Sequence, residues 1–296
     1  MATSPAYLEP ETLAAISGLG YKARLMVEGF LSGAHRSPYR GFSVEFAQHR
    51  EYVPGDDLRH LDWKVWGRSD RLYIKQYDAE TNFEAHILLD ASGSMGFSTA
   101  PLSKLEYGKH AAAALAQLIL DQRDAVGLNI FGDEPVSMPP STSPARMREL
   151  IHHLETAEPG GEATVAEALT LFAEKGGRRK VLVVISDFME DENELLKSLR
   201  YVSRRRHDVL LVHLVDPAEA SLPYADLTSF AGLEGEKELR VHPARLRAAY
   251  VREMKLHVRA IRNSARELRM DYLPILTDRS LGEILAAYLV SRRGRK

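Results

Sequence analysis

The chain has 296 residues, is 45% hydrophobic, carries a formal net charge of -2 and contains no cysteine. That length suits one large domain, or one domain with a smaller attachment, and either buries a substantial core. The near-neutral balance argues against nucleic acid as the main partner, and the lack of thiols excludes a disulfide framework, a thiolate zinc site and a cysteine-held iron–sulfur cluster.

Residues 1–10 lack the basic start and apolar centre of a secretory signal. No run approaches the roughly 20 apolar residues of a spanning helix. A cytoplasmic location is therefore expected. Residues 9–32 have helical spacing, with Leu13, Ile16 and Leu19 and then Leu25, Met26 and Phe30 on recurring faces, and Gly18 and Gly20 between two helices. Alternating polar and apolar residues at Ser43–Phe46 and Leu72–Tyr77 predict strands with one wet face.

Between those strands, Arg50–Lys64 is dense in charge yet carries Tyr52, Leu58, Leu61 and Trp63, which favour burial. Pro54-Gly55 suits a type II turn. Arg50, Asp57, Arg59 and Asp62 read as a structural network that pins this leader, and Trp63 or Trp66 beside Arg68 has the composition of an interface anchor. The leader is assigned to residues 1–82 and the main domain to 83–296.

From Phe83 the pattern alternates. Strands are expected at 83–90, 125–131, 181–186 and 209–215, and helices at 104–123, 144–154, 164–174 and 192–205. This order predicts an α/β fold with a mostly parallel sheet wrapped by helices. Ala111–Ala114 combine high helix propensity with small volume, which permits close packing on strands. After Asp216-Pro217, an irregular connection and a hairpin lead to a long helix over 243–268, a strand over 271–275 and a terminal helix over 281–290. Asp208 and Pro274 point to sheet margins, because proline removes a ladder donor.

Chemistry concentrates at strand ends. Asp90-Ala91-Ser92-Gly93-Ser94 follows the apolar run Ile87-Leu88-Leu89, so one turn receives a carboxylate and two hydroxyls. The run Val181–Ile185 leads likewise into Ser186-Asp187, and the flexible Gly160-Gly161-Glu162-Ala163-Thr164 carries a third hydroxyl just before a helix. Carboxylate and hydroxyl oxygens are hard donors that suit Mg²⁺ or Mn²⁺.

Asp-x-Ser-x-Ser, a distant Thr and a more distant Asp together resemble the metal-ion-dependent adhesion site of von Willebrand factor A domains. The resemblance implies that Asp90, Ser92, Ser94, Thr164 and Asp187 surround one Mg²⁺ or Mn²⁺, some directly and some through water, with a partner's acidic side chain completing the shell. With Tyr52–Arg59, Asp62-Trp63-Lys64 and Leu89–Met95 added, the chain is similar to the bacterial domain-of-unknown-function 58 family. That likeness implies a von Willebrand A, Rossmann-like sheet with helices on both faces. It also implies a non-enzymatic adaptor or co-chaperone of a MoxR-type AAA+ ATPase.

An Asp after a strand is also the nucleophile position of haloacid-dehalogenase-type phosphatases, so a metal-dependent phosphohydrolase using Asp90 is the alternative; position 92, where that family places its acid, is Ser. Neither Ser92 nor Ser94 has the flanking glycines of a nucleophile elbow. No phosphate-binding P-loop sequence occurs. His152-His153 with Glu155 lacks zinc-protease spacing, and the basic clusters Arg178–Lys180 and Arg204–Arg206 read as solvated element ends.

Overall fold

The computed structural model describes residues 19, 23, 46–52, 65, 72–77, 84–176, 179–234 and 237–293. The chain divides into two compact units, one made of residues 1–38 with 84–296 and the other of residues 39–83. The smaller unit contains strands β1 (Phe46–Glu51) and β2 (Tyr73–Tyr77), paired antiparallel with Glu51 opposite Tyr73. The strand expected over 43–46 is thus observed over 46–51, taking in the first residues of the charged block. The rest of that block from Val53 to Lys64, Trp66 and Arg68 lie outside the described residues, as do the leader helices apart from Leu19 and Ala23.

In the larger unit the chain runs through β3 (Glu84–Asp90), α1 (Lys104–Asp121), β4 (Ala125–Phe131), β5 (Val136–Ser141), α2 (Arg146–Thr156), α3 (Val165–Glu174) and β6 (Val181–Ser186). It continues with α4 (Glu192–Arg204), β7 (Asp208–Val215), α5 (Pro217–Ser221), the hairpin β8 (Thr228–Phe230) and β9 (Leu239–Val241), α6 (Pro243–Glu267), β10 (Asp271–Leu276) and α7 (Leu281–Arg293). Six strands form one sheet in the order β10-β7-β6-β3-β4-β5, parallel except for the antiparallel β4–β5 pair. This is the mostly parallel α/β architecture predicted from the alternation of elements.

Two differences have a plain cause. β5 has no counterpart among the expected strands and carries Pro139-Pro140; an edge strand tolerates proline, since its outer side needs no ladder donor. Pro274 does lie on an edge strand, β10, but Asp208 opens β7, which is an interior strand between β6 and β10. Its carboxylate escapes burial at the strand's first residue, where Arg179 donates to it at 2.8 Å.

Period-two alternation divides the sheet's apolar side chains between its faces. Ile87, Leu89, Val183, Ile185, Val212 and Leu214 join one core with α1, α2 and α7, and Leu19 and Ala23 are buried in that same layer. Leu88, Leu182, Val184 and Leu211 point the other way, into a second core with α3, α4 and α6. Both faces are covered, which is why the central strands read as continuous apolar runs.

α1 crosses the middle of the sheet at close range. A Cβ on Gly108 would stand 3.0 Å from Leu89 Cδ1, 3.3 Å from Ile185 Cγ2 and 3.4 Å from Leu214 Cδ1. Ala111–Ala114 continue the same small surface and are all buried. The first strand of the sheet, β3, lies inside it: the chain next adds β4 and β5 on one side and then β6, β7 and β10 on the other. The crevice between the carboxyl ends of β3 and β6 is therefore a topological switch point, where doubly wound sheets bind ligands.

Gly108→Val is expected to destabilise the fold by about 1–3 kcal/mol, the usual cost of forcing extra methyl groups into a filled core. Equilibrium urea denaturation of the variant against the unsubstituted chain measures it.

Candidate metal centre

Asp90 is the last residue of β3 and Ser186 the last of β6, so adjacent strands deliver both to the switch crevice. Asp90 Oδ1 accepts from the Ser92 N–H at 2.8 Å, and its Oδ2 accepts from Ser186 Oγ at 2.5 Å. The chain then turns through a short 3-10 segment, Gly93–Gly96, anchored by buried Met95. Within this turn the Ser92 and Ser94 hydroxyls lie 3.2 Å apart.

The glycine loop is stitched to that turn by its backbone. Gly160 N–H donates to the Ala91 carbonyl at 2.8 Å, and Gly93 N–H donates to the Gly161 carbonyl at 3.1 Å. Gly161 adopts φ +79°, a left-handed conformation that favours glycine, and the Asp133 carboxylate lies close against it. Thr164 follows as N-cap of α3 in a capping box. Its hydroxyl accepts from the Glu167 N–H at 3.2 Å, and Glu167 Oε2 accepts from the Thr164 N–H at 3.4 Å.

Asp187 has partners of its own. Its Oδ1 accepts from the Met189 N–H at 3.1 Å, and its Oδ2 accepts from the ammonium of Lys104 at 2.7 Å. Lys104, the first residue of α1, is only 1% exposed and donates also to Glu219 Oε1 at 2.5 Å. Desolvation alone would lower its pKa, but the Asp187 and Glu219 carboxylates more than reverse this, and the lysine is held above its ordinary value.

All five predicted site residues, Asp90, Ser92, Ser94, Thr164 and Asp187, line one cavity of about 30 Å³. A water needs roughly 10–15 Å³ on the same kind of measure, so the space suits one small ion with about one water. Ser186, Glu162, Glu190 and Glu234 also line it, and no basic side chain does. Burial, reinforced by the nearby Asp187 carboxylate, pushes Asp90 up to about 7. Burial likewise pushes Glu190 up to about 7, opposed by the Ala166 N–H and reinforced by Asp90 and Asp187.

Among the described residues no three His, Cys, Asp or Glu side chains form a cluster suited to an ion. The predicted donors are of another kind, two carboxylates with three hydroxyls. A one-ion cavity walled by carboxyl and hydroxyl oxygens, with two of its acids driven towards protonation, fits a divalent cation. The sequence reading missed Ser186, Lys104, Glu190 and Glu234. Ser186 was within reach, being the residue before Asp187 at the strand end. Lys104 gives no such signal, because a lysine opening a helix reads as solvated.

Residues 48–260 match the family described as Protein of unknown function DUF58. An uncharacterized protein of Mycobacterium tuberculosis is 28% identical over 291 residues, covering 96% of this chain and 91% of that one. Among solved structures, the chain is similar to the conserved hypothetical protein BatB of Bacteroides thetaiotaomicron, at 17% identity and TM-score 0.47 over 72% of this chain and 100% of that one. It is also similar to the SpRpn10 VWA domain, at 15% identity and TM-score 0.42 over 69% and 94% of the two chains.

A carboxyl whose pKa is higher folded than unfolded supports the fold below its unfolded value near 4, and that support is lost as pH rises through about 7. Asp90→Asn removes the loss. In chelator at pH 8 its melting temperature is expected to exceed that of the unsubstituted chain by about 2–4 °C, the shift produced by ~1 kcal/mol in a domain of this size. Differential scanning calorimetry at pH 8 and pH 5 checks the sign, since the gain should shrink at the lower pH.

Proposed function

The chain belongs to the DUF58 family, and on that premise we propose that it is a non-enzymatic, metal-dependent protein-interaction module, an adaptor or co-chaperone of a MoxR-type AAA+ ATPase acting in the cytoplasm. One observation carries the reading: five oxygen-bearing side chains from three separated stretches line one ion-sized cavity at the switch point of the sheet. Asp90, Ser92 and Ser94 are the primary ligands of a Mg²⁺ or Mn²⁺, Thr164 joins directly or through water, and Asp187 orders a bound water. Bound there, the cation supplies an electrophilic position for an acidic side chain of the partner.

The electrostatics support that division of labour. Lys104 spends one donor on Asp187, so part of the local negative charge is already neutralised by protein. A cation with one carboxylate and two hydroxyls as primary ligands, and a partly neutralised Asp187 behind a water, keeps more attraction for an outside acid than one enclosed by several free carboxylates. The location is part of the same proposal. Among the described residues no helix is long and apolar enough to cross a membrane.

The phosphohydrolase alternative asks Asp90 to attack a phosphorus atom. Its carboxyl is only 3% exposed, and both oxygens already accept hydrogen bonds, from Ser92 and Ser186. Such a group is a restrained ligand more readily than a free nucleophile.

Capture of a purified MoxR-type ATPase on the immobilised chain is expected to be at least about tenfold tighter in Mg²⁺ than in chelator, a difference of ~1.4 kcal/mol. Asp90→Ala should remove the metal-dependent part while leaving the far-ultraviolet dichroism unchanged. Equal capture in chelator would rule the cation out. Mg²⁺-dependent turnover of a phosphomonoester that disappears in Asp90→Asn would replace the module reading with the enzyme one.

A further inference from the structure

The loop that follows β8 reaches the cation cavity: the Ser94 N–H donates to Glu234 Oε1 at 2.8 Å, which puts a carboxylate of the chain itself among the cavity's lining groups. The fit of that loop on the Asp90–Ser94 turn is close. A Cβ on Gly93 would stand 2.9 Å from Glu234 Cγ and nearer still to the Leu233 carbonyl oxygen. Gly93 thus leaves room for residues 233–234 to lie directly on the turn.

Beside this contact runs a groove of about 700 Å³ between α5, α6 and the β8–β9 hairpin. Its walls include Leu222, Phe230, Leu246 and Tyr250, and Ser94, Met189 and Glu234 border both the groove and the cation cavity. Several of its apolar side chains remain open to solvent: Leu233 is 53% exposed, Met189 47% and Leu246 46%. Exposed apolar side chains gathered at the rim of a polar site mark a docking surface.

We propose that Leu233-Glu234 is an internal stand-in for the partner, seating a carboxylate at the cation cavity and an apolar side chain on the adjoining groove, so that the partner is a segment of like chemistry, an acid next to large apolar residues, which binds by displacing this loop. The proposal rests on the cation-site reading and adds to it both the groove and the competitor. The chain's own pair displays the spacing that a partner must reproduce. Tethering makes the stand-in effective: a segment joined by a few residues acts at an effective concentration in the millimolar range, so a free ligand must outbid it. The groove gives the partner that advantage, because a longer apolar segment buries surface that Leu233 leaves exposed.

Glu234→Gln tests this. The amide oxygen can still accept from the Ser94 N–H, so the turn keeps its hydrogen bond while the cavity loses its resident charge. The probe is an acetylated, amidated peptide copying residues 229–234, Ser-Phe-Ala-Gly-Leu-Glu, titrated into the full chain in Mg²⁺ and followed by nuclear magnetic resonance, with Mn²⁺ binding to both chains measured in parallel by electron paramagnetic resonance. The peptide is expected to bind the Glu234→Gln chain at least about tenfold more tightly than the unsubstituted chain, and the same peptide ending in Gln should bind neither. If both chains bind Mn²⁺ but take up the peptide equally, or not at all, the stand-in is overturned while the cation site survives. If neither chain binds Mn²⁺, the cation reading falls and this inference falls with it.

Discussion

Two acids forced into one nearly dry crevice set the terms for the rest of the molecule. Asp90 ends β3, Asp187 directly follows the neighbouring parallel strand β6, and each is only 3% exposed. Water cannot screen them well there, so each needs a compensating partner. The protein compensates them differently: Asp90 receives a hydroxyl and a backbone N–H, and Asp187 receives a backbone N–H and a full ammonium. The asymmetry leaves Asp90 the more under-compensated acid, and its carboxyl is held well above its ordinary range.

The scaffold explains why the two acids meet at all. β3 opens the main sheet yet becomes an interior strand, because later strands are added first on one flank and then on the other. α1 can lie over this centre only because Gly108 and the alanines after it offer almost no side-chain bulk. The same helix starts at Lys104, so the close packing of a small-residue surface and the placing of a buried cation are one piece of chain geometry.

Much of this was legible in the sequence, for reasons that particular residues make clear. The apolar runs before Asp90 and Asp187 are long enough and bounded sharply enough to fix strand ends, and Thr164 three residues before Glu167 is a recognisable helix start. What stayed hidden were contacts between distant stretches. Lys104 meets Asp187 across 83 positions and Glu234 reaches Ser94 across 140, and neither pairing leaves a local period or spacing to find. β5 stayed hidden for the opposite reason: its prolines give a strong local signal for loop, and only an edge position in the finished sheet overrides it.

Lys104 also ties the crevice to the ground beneath the β8–β9 hairpin. Its ammonium is shared with Glu219, whose other carboxylate oxygen accepts from the Asp216 N–H and so caps α5. Asp216 in turn accepts from the Thr99 backbone and hydroxyl on the loop that leads back to α1. Two ion pairs and three hydrogen bonds link Asp187, the start of α1, α5 and the loop before α1. The two halves of that surface thus share one buried ammonium, since Asp187 lines the oxygen-walled cavity, Glu219 lines the apolar groove, and Lys104 donates to both.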